Sequence, residues 1–200
     1  MWRHPVLRLC IFAYIGWGAW QWFANRPVHP PDGVLAPGEP QQIEDSANTK
    51  EQMSRWTLTV RAHYRITARI LALERYRFDA LASLVPEDLA LGWGPMSDNR
   101  VLQTVDISQS DRFYYWHVSP NTVISRNVII EHSANTHVIP ANPAVAGQLS
   151  HLRRGQVVTL DGELVDGVRD DGRWINTSLV RTDSGPGACE VMLVQTVVVH

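Results

Sequence analysis

The stretch Trp56-Thr57-Leu58-Thr59-Val60-Arg61-Ala62-His63-Tyr64-Arg65-Ile66-Thr67-Ala68-Arg69-Ile70 alternates apolar and polar residues without a break. Strict period two places one face of the chain against a core and the other in water. A helix would scatter the same residues around its axis. The stretch is therefore one long strand, or two consecutive strands bent without a turn. Arg61, Arg65 and Arg69 fall on the polar face, where arginine is ordinarily solvated. This reading makes the protein mostly β.

Downstream, residues 79–100 break the alternation. Pro86-Glu87-Asp88-Leu89-Ala90-Leu91 predicts a short helix, because proline suits a first helical turn. Gly92-Trp93-Gly94-Pro95 predicts a turn. Residues 101–107, 113–118 and 123–131 predict strands, with Ser-Asp and Pro-Asn at the breaks. Asn142 then offers an N-cap, Pro143 a first residue, and Val145, Leu149 and Leu152 one apolar face. Arg153 and Arg154 suit the negative end of that helix, and Gly155 a left-handed cap. Residues 156–165 predict a strand with Gly162 at a bulge or bend. Asp170-Asp171-Gly172 predicts a hairpin, 173–181 its returning strand, and 189–199 a final apolar strand.

Upstream, residues 6–24 are apolar apart from Arg8 and Gln21. A spanning helix needs about 20 such residues, and Arg8 can reach back to the headgroups. Trp17, Trp20 and Trp22 gather near the C-terminal end, where tryptophan favours a membrane interface. Arg3 and Arg8 precede the apolar run and Arg26 follows it, which orients the N-terminus to the cytoplasm. Trp22 stands two positions before Ala24, a poor cleavage site, so an uncleaved anchor is expected rather than a signal peptide. Pro27, Pro30, Pro31, Pro37 and Pro40, followed by polar residues, read as an extended linker. The expected organisation is an anchor over 1–25, a linker over 26–55 and an extracytoplasmic β domain over 56–200.

The chain has 200 residues and a net charge of -2, enough length for one domain besides the anchor. Lys50 is the only lysine. Without a basic surface to neutralise phosphates, nucleic acid is not an expected partner. Cys10 lies in the apolar segment and cannot easily meet Cys189. Cys189 is then a lone thiol, either a small buried hydrophobe or a reactive group.

The order of long bent strand, further strands, one short helix and a strand hairpin resembles the OB-fold, a small Greek-key barrel. The stretch 152–165, running from Leu152-Arg153-Arg154-Gly155 into Val157-Val158-Thr159-Leu160, looks like the entry to the fourth strand of such barrels. The whole chain also resembles bacterial single-pass membrane proteins. That resemblance implies a bacterial inner-membrane location with the C-terminal domain in the periplasm. OB-like barrels often bind oligonucleotides or oligosaccharides, but fold alone does not fix function.

Two groups of residues are candidate chemistry. His132, Asn135 and His137 lie in the polar stretch 131–137. They could be zinc ligands or plain loop residues, and no second paired spacing completes a metal site. Cys189 and Glu190 follow Arg181, Asp183 and a glycine-rich loop whose amides could hold an anion. His137 or His151 could activate the thiol if the fold brings them together. The expected ligand-binding residues are thus His137, Arg181, Asp183, Cys189 and Glu190, with no cofactor implied. Ser178 lacks an elbow motif. Trp93, Trp116 and Trp174 could form a binding face or pack in the core. With no catalytic constellation in the sequence, the expected function is a membrane-anchored binding or assembly module for an envelope protein partner. The alternative is an enzyme or small-ligand carrier built on His137, Cys189 and Glu190.

Overall fold

The computed structural model describes residues 5–24 and 26–200, with side chains over 9–18 and 26–200. The apolar N-terminal run forms helix α1 (Pro5–Ala24). Its described side chains are bare: Leu9, Phe12, Tyr14, Ile15 and Trp17 are all more than half exposed. No helix among the described residues is long and apolar enough to cross a membrane. The side chains of Arg3, Arg8, Trp20 and Trp22, on which the expected topology rests, lie outside the described residues.

The segment expected as a stand-off linker is instead laid along the β domain. It carries β1 (Gln41–Glu44) and β2 (Lys50–Met53), both antiparallel to β3 (Trp56–Arg75). Ahead of β1, Val28 N donates to Arg154 O at 2.8 Å and Gly94 N donates to Ala36 O at 2.7 Å. The Ser97 hydroxyl accepts from Leu35 N and Ala36 N, and Ala36 is fully buried. A proline-rich chain has few backbone donors of its own, so a handful of such bonds suffices to strap it down.

The long alternating stretch is β3, one strand with two slips of register. At Arg61 the pairing with β8 (Val157–Arg169) shifts by one residue, so Val60 faces Val165 while Ala62 faces Leu164. A one-residue insertion flips every following side chain to the other face. Trp56, Leu58 and Val60 therefore join one core with Ile139, Val165 and Val191. Ala62, Tyr64, Ile66, Ala68 and Ile70 join another with Leu89, Leu91, Trp93 and Leu160. The uniform alternation in the sequence conceals this change of face.

After β3 come β4 (Glu87–Gly92), a 3-10 turn at Gly94–Ser97 and α2 (Asn99–Leu102). Next are the hairpin β5 (Val105–Ser110) and β6 (Phe113–Val118), then α3 (Arg126–Glu131) and β7 (Ser133–Pro140). The chain finishes with α4 (Pro143–Ser150), β8, the short β9 (Trp174–Ile175) and β10 (Glu190–Val199). In the main sheet β3, β4, β7, β10 and β8 pair in that order, and β8 pairs back to β3. The sheet is thus closed into a barrel whose β7–β10 pair is parallel and whose other pairs are antiparallel.

Three local expectations are corrected. The helix expected over 86–91 is strand β4, buried at every position because β3 and β7 flank it and both its faces are covered. The strand expected over 123–131 contains α3, which Ser125 caps by accepting from Val128 N. The polar loop expected over 131–137 is mostly β7, whose backbone pairs with β4 and β10 and whose Ser133, Asn135 and His137 side chains are hydrogen-bonded. The helix expected after Asn142 is present as α4, with the Asn142 side-chain Oδ1 accepting from Ala144 N and Val145 N.

The β5–β6 hairpin forms a second, two-stranded sheet on the outer wall of the barrel. Val105, Ile107, Tyr114 and Trp116 pack there against Ala72, Ala90, Met96 and Ile129. This covering layer creates the space in which the polar residues of β4, β7 and β10 meet.

Candidate thiol site on the barrel wall

Register brings the site together. Asp88 on β4 lies directly opposite His137 on β7, and His137 lies opposite Val191 on β10. Cys189 is two residues before Val191 and so points to the same side. Three strands distant in sequence thereby present a carboxylate, an imidazole and a thiol on one outer face. Their neighbours Leu89, Thr136 and Glu190 form the next row, facing the opposite way.

Asp88 Oδ1 lies 2.8 Å from His137 Nδ1. Arg112, from the β5–β6 turn, donates to the same oxygen at 3.2 Å and holds Asp79 through two further bonds of 2.8 Å. Asp88 is fully buried and His137 is 8% exposed. Burial by itself would lower the histidine pKa. The hydrogen bond to Asp88 and the proximity of Cys189 outweigh it and raise the value to about 9. His137 is therefore an imidazolium at neutral pH, with Nδ1 committed to Asp88 and Cys189 close beside the ring.

Asn135 completes the arrangement. Its Nδ2 donates to Cys189 Sγ at 3.5 Å and to Arg112 O at 3.1 Å, while its Oδ1 accepts from Gln109 Nε2 at 2.6 Å. The thiol faces a cavity of about 150 Å³. Phe113, Tyr114, Trp116 and Ile130 line its apolar side, and the 181–190 segment closes the other. His137 is not part of that lining; the imidazole is a neighbour of the sulfur, and Asp88 holds its Nδ1.

On the opposite face of β10, Glu190 points inward. Arg181 Nη1 donates to Glu190 Oε1 at 2.9 Å and to the Tyr64 hydroxyl at 2.8 Å. The guanidinium lies 5.3 Å from the centre of the Tyr64 ring and 5.5 Å from that of Trp93. Burial pushes Glu190 up to about 7, with Arg181 opposing the shift. Burial likewise raises the Tyr64 phenol.

Of the residues singled out in the sequence, His137 and Cys189 do come together. Arg181 and Glu190 form an ion pair, and Asp183, which accepts from the Ser178 hydroxyl at 2.6 Å, borders the same cavity. His132 is elsewhere: its Nδ1 is 2.9 Å from Val128 O and its Nε2 is 3.5 Å from Glu39. Among the described residues no group of three or more histidine, cysteine, aspartate or glutamate side chains is placed to hold a metal ion. The three tryptophans do not form a face. Trp93 is core, Trp116 borders the cavity and Trp174 is 68% exposed. Asp88, Arg112 and Gln109 were missed. A short apolar run bounded by proline and by Gly-Trp-Gly-Pro fits a buried strand as well as a helix, and reading 86–92 as a strand would have set Asp88 apart from Leu89 and Leu91.

No protein-family model, curated protein or solved structure matches the chain.

Proposed function

We propose that the domain is a thiol-dependent acyl-transfer enzyme with Cys189 as nucleophile, His137 as acid and base, and Asp88 as the group that orients the imidazole. One observation carries this reading: the sulfur fronts a cavity and neighbours an imidazolium held by a buried carboxylate. A thiol beside an imidazolium is the usual setting for a nucleophilic cysteine. The sulfur, as a thiolate paired with the imidazolium, attacks the carbonyl carbon of an activated ester or thioester. As the tetrahedral adduct collapses, the bond to the leaving group breaks and His137 gives that group a proton. The acyl group is then a thioester on Cys189. Water or an amine attacks it and passes its proton to His137, the C–S bond breaks, and Cys189 leaves as the thiolate beside a restored imidazolium. Asn135 Nδ2, already beside the sulfur, is the donor placed for the oxyanion. The size of the cavity suits a short acyl group.

The test is intact-mass measurement after incubation with p-nitrophenyl acetate. The expected result is one acetyl group on Cys189, absent in Cys189→Ser and formed at least about a hundredfold more slowly in His137→Gln, within the range general acid–base groups contribute. Acetylation at an unchanged rate in His137→Gln, or none in the unaltered protein, would falsify the proposal.

The setting of that site is proposed with it. The pairing order, the parallel β7–β10 pair and the helix α4 between β7 and β8 support an OB-like Greek-key barrel. The bare apolar surface of α1 supports a membrane tether, and Arg3 and Arg8 at the N-terminal end support placing the barrel on the periplasmic side of the cytoplasmic membrane. Alkaline phosphatase fused at residue 200 should then be active, and an inactive but well-expressed fusion overturns the orientation. A second role, docking an envelope protein, is supported by the exposed ring pair Phe113 and Tyr115, 6.4 Å apart on the outer side of the hairpin.

A further inference from the structure

Arg69 was expected on a solvated strand face, yet it is 8% exposed. The strap laid over β3 and the 3-10 turn Gly94–Ser97 cover it, and its Nη1 donates to Ser97 O at 3.1 Å. Burying a guanidinium without a carboxylate is costly. Among the described residues no ion pair involves Arg69 or Arg154. The acid that most favours the charge on Arg69 is Asp98, and its carboxylate is already committed to Arg100 and to Gly33 N.

Arg69 and Arg154 instead line one cavity of about 310 Å³, a size at the lower end of small-ligand sites. Burial weakens the hold of Arg69 on its proton there, and the positive charge of nearby Arg154 weakens it further. The cavity is two-sided. The arginines and His29 supply positive or protonatable groups, while Leu102, Val105 and Ile107 supply an apolar wall. Among the described residues no aspartate or glutamate lines it. It opens beside Pro27 and Val28, just where the chain leaves α1.

We propose that Arg69 and Arg154 form a binding site for a phosphate-bearing amphiphile, the phosphate held between the two guanidiniums and the apolar portion against the β5 wall. Guanidinium forks match phosphate oxygens in pairs, and an anion there removes the repulsion between the arginines. The position after α1 favours a lipid headgroup as the source, and a free phosphate shares the same polar contacts. The site is on a different part of the barrel wall from Cys189 and does not depend on the acyl-transfer reading.

The test uses the full chain in a neutral detergent. Thermal unfolding is followed while titrating dihexanoyl phosphatidylglycerol, inorganic phosphate, or sodium chloride at matched ionic strength. A saturable rise in Tm with the lipid alone supports the proposal with a membrane source. A rise with both lipid and phosphate supports it with a soluble phosphate as a competent ligand. Arg154→Gln, at an exposed position that leaves the core intact, should weaken binding about tenfold or more, as loss of a charge-assisted contact does. Arg154→Lys should restore part of it. The proposal is overturned if neither phosphate compound stabilises beyond chloride, or if Arg154→Gln binds as the unaltered protein does.

Discussion

At the scale of single residues, two buried titrations pull stability in the same direction at different pH. His137 has its pKa raised from the ordinary 6.5 to about 9, so the folded state holds the proton more tightly than the unfolded chain. Its contribution is fully present below about 6.5 and is lost as pH climbs through about 9. Urea midpoints measured from pH 6 to 10 should therefore fall across that window. The fall should be shallower in Asp88→Asn, which removes the carboxylate that favours the imidazolium; an equally steep fall would separate the slope from this pair. Glu190 is a carboxyl raised from 4.5 to about 7 by burial. Here too the folded state binds the proton better, so stability drops as pH rises from about 4.5 to about 7, where an ionised carboxylate must be kept buried. Burial raises Glu87 into the same range, so Glu190→Gln should remove part of that slope and leave the rest. A slope unchanged in Glu190→Gln would assign the whole effect to Glu87. None of these shifts could be read in sequence. Glu190 and Cys189 are adjacent in the chain, yet one faces the arginine inside and the other the cavity outside.

At the scale of elements, legibility followed how much of an element touches water. The strand β3 was legible because its polar face is largely wet, which writes period two into the sequence. The strand β4 was not, since burial on both faces removes the alternation, and Pro86 beside acidic residues mimics a helix start. The strand β7 hid behind Asn135, Thr136 and His137, polar residues that ordinarily mark a loop but here are buried. The thiol site fell in this blind zone: His137 and Cys189 stood out as residue types, whereas Asp88 becomes visible only through the β4–β7 register. The bulge residue in β10 opposite Gly162 gives an element-level test. A Cβ on Gly162 would overlap the Leu193 carbonyl oxygen, which is backbone and cannot swing aside. Gly162→Ala should therefore destabilise by about 3 kcal/mol, at the upper end of overpacking costs. By contrast Asn142→Ala removes only the cap of α4 and should cost about 1 kcal/mol. Both are readable from urea midpoints, and equal losses for the two would contradict the packing described around Gly162.

At the scale of the whole molecule, the barrel and α1 divide the apolar surface of the chain into two classes. The barrel buries most of its own through closure, with β10 inserted between β7 and β8 so that the C-terminal segment completes the wall begun by β3. The helix leaves its described apolar side chains uncovered. Among the described residues nothing covers that surface, which makes a bilayer or another protein its candidate partner. The barrel does not depend on it. The strap from Val28 onward is held by bonds to Arg154, Gly94 and Ser97, all inside the β domain. Gly155 fixes the start of that strap, having φ of +91° and no room for a Cβ beneath the Val28 carbonyl. A chain beginning at residue 26 should accordingly fold with the urea midpoint of the full protein, whereas Gly155→Ala should loosen residues 26–40 to protease. The two forms should part company on lipid. In a flotation gradient with phosphatidylcholine vesicles the full chain should rise with the lipid and the shorter chain should stay at the bottom. If both rise, the barrel itself carries the affinity; if neither does, the uncovered surface of α1 belongs to a protein partner rather than to a membrane.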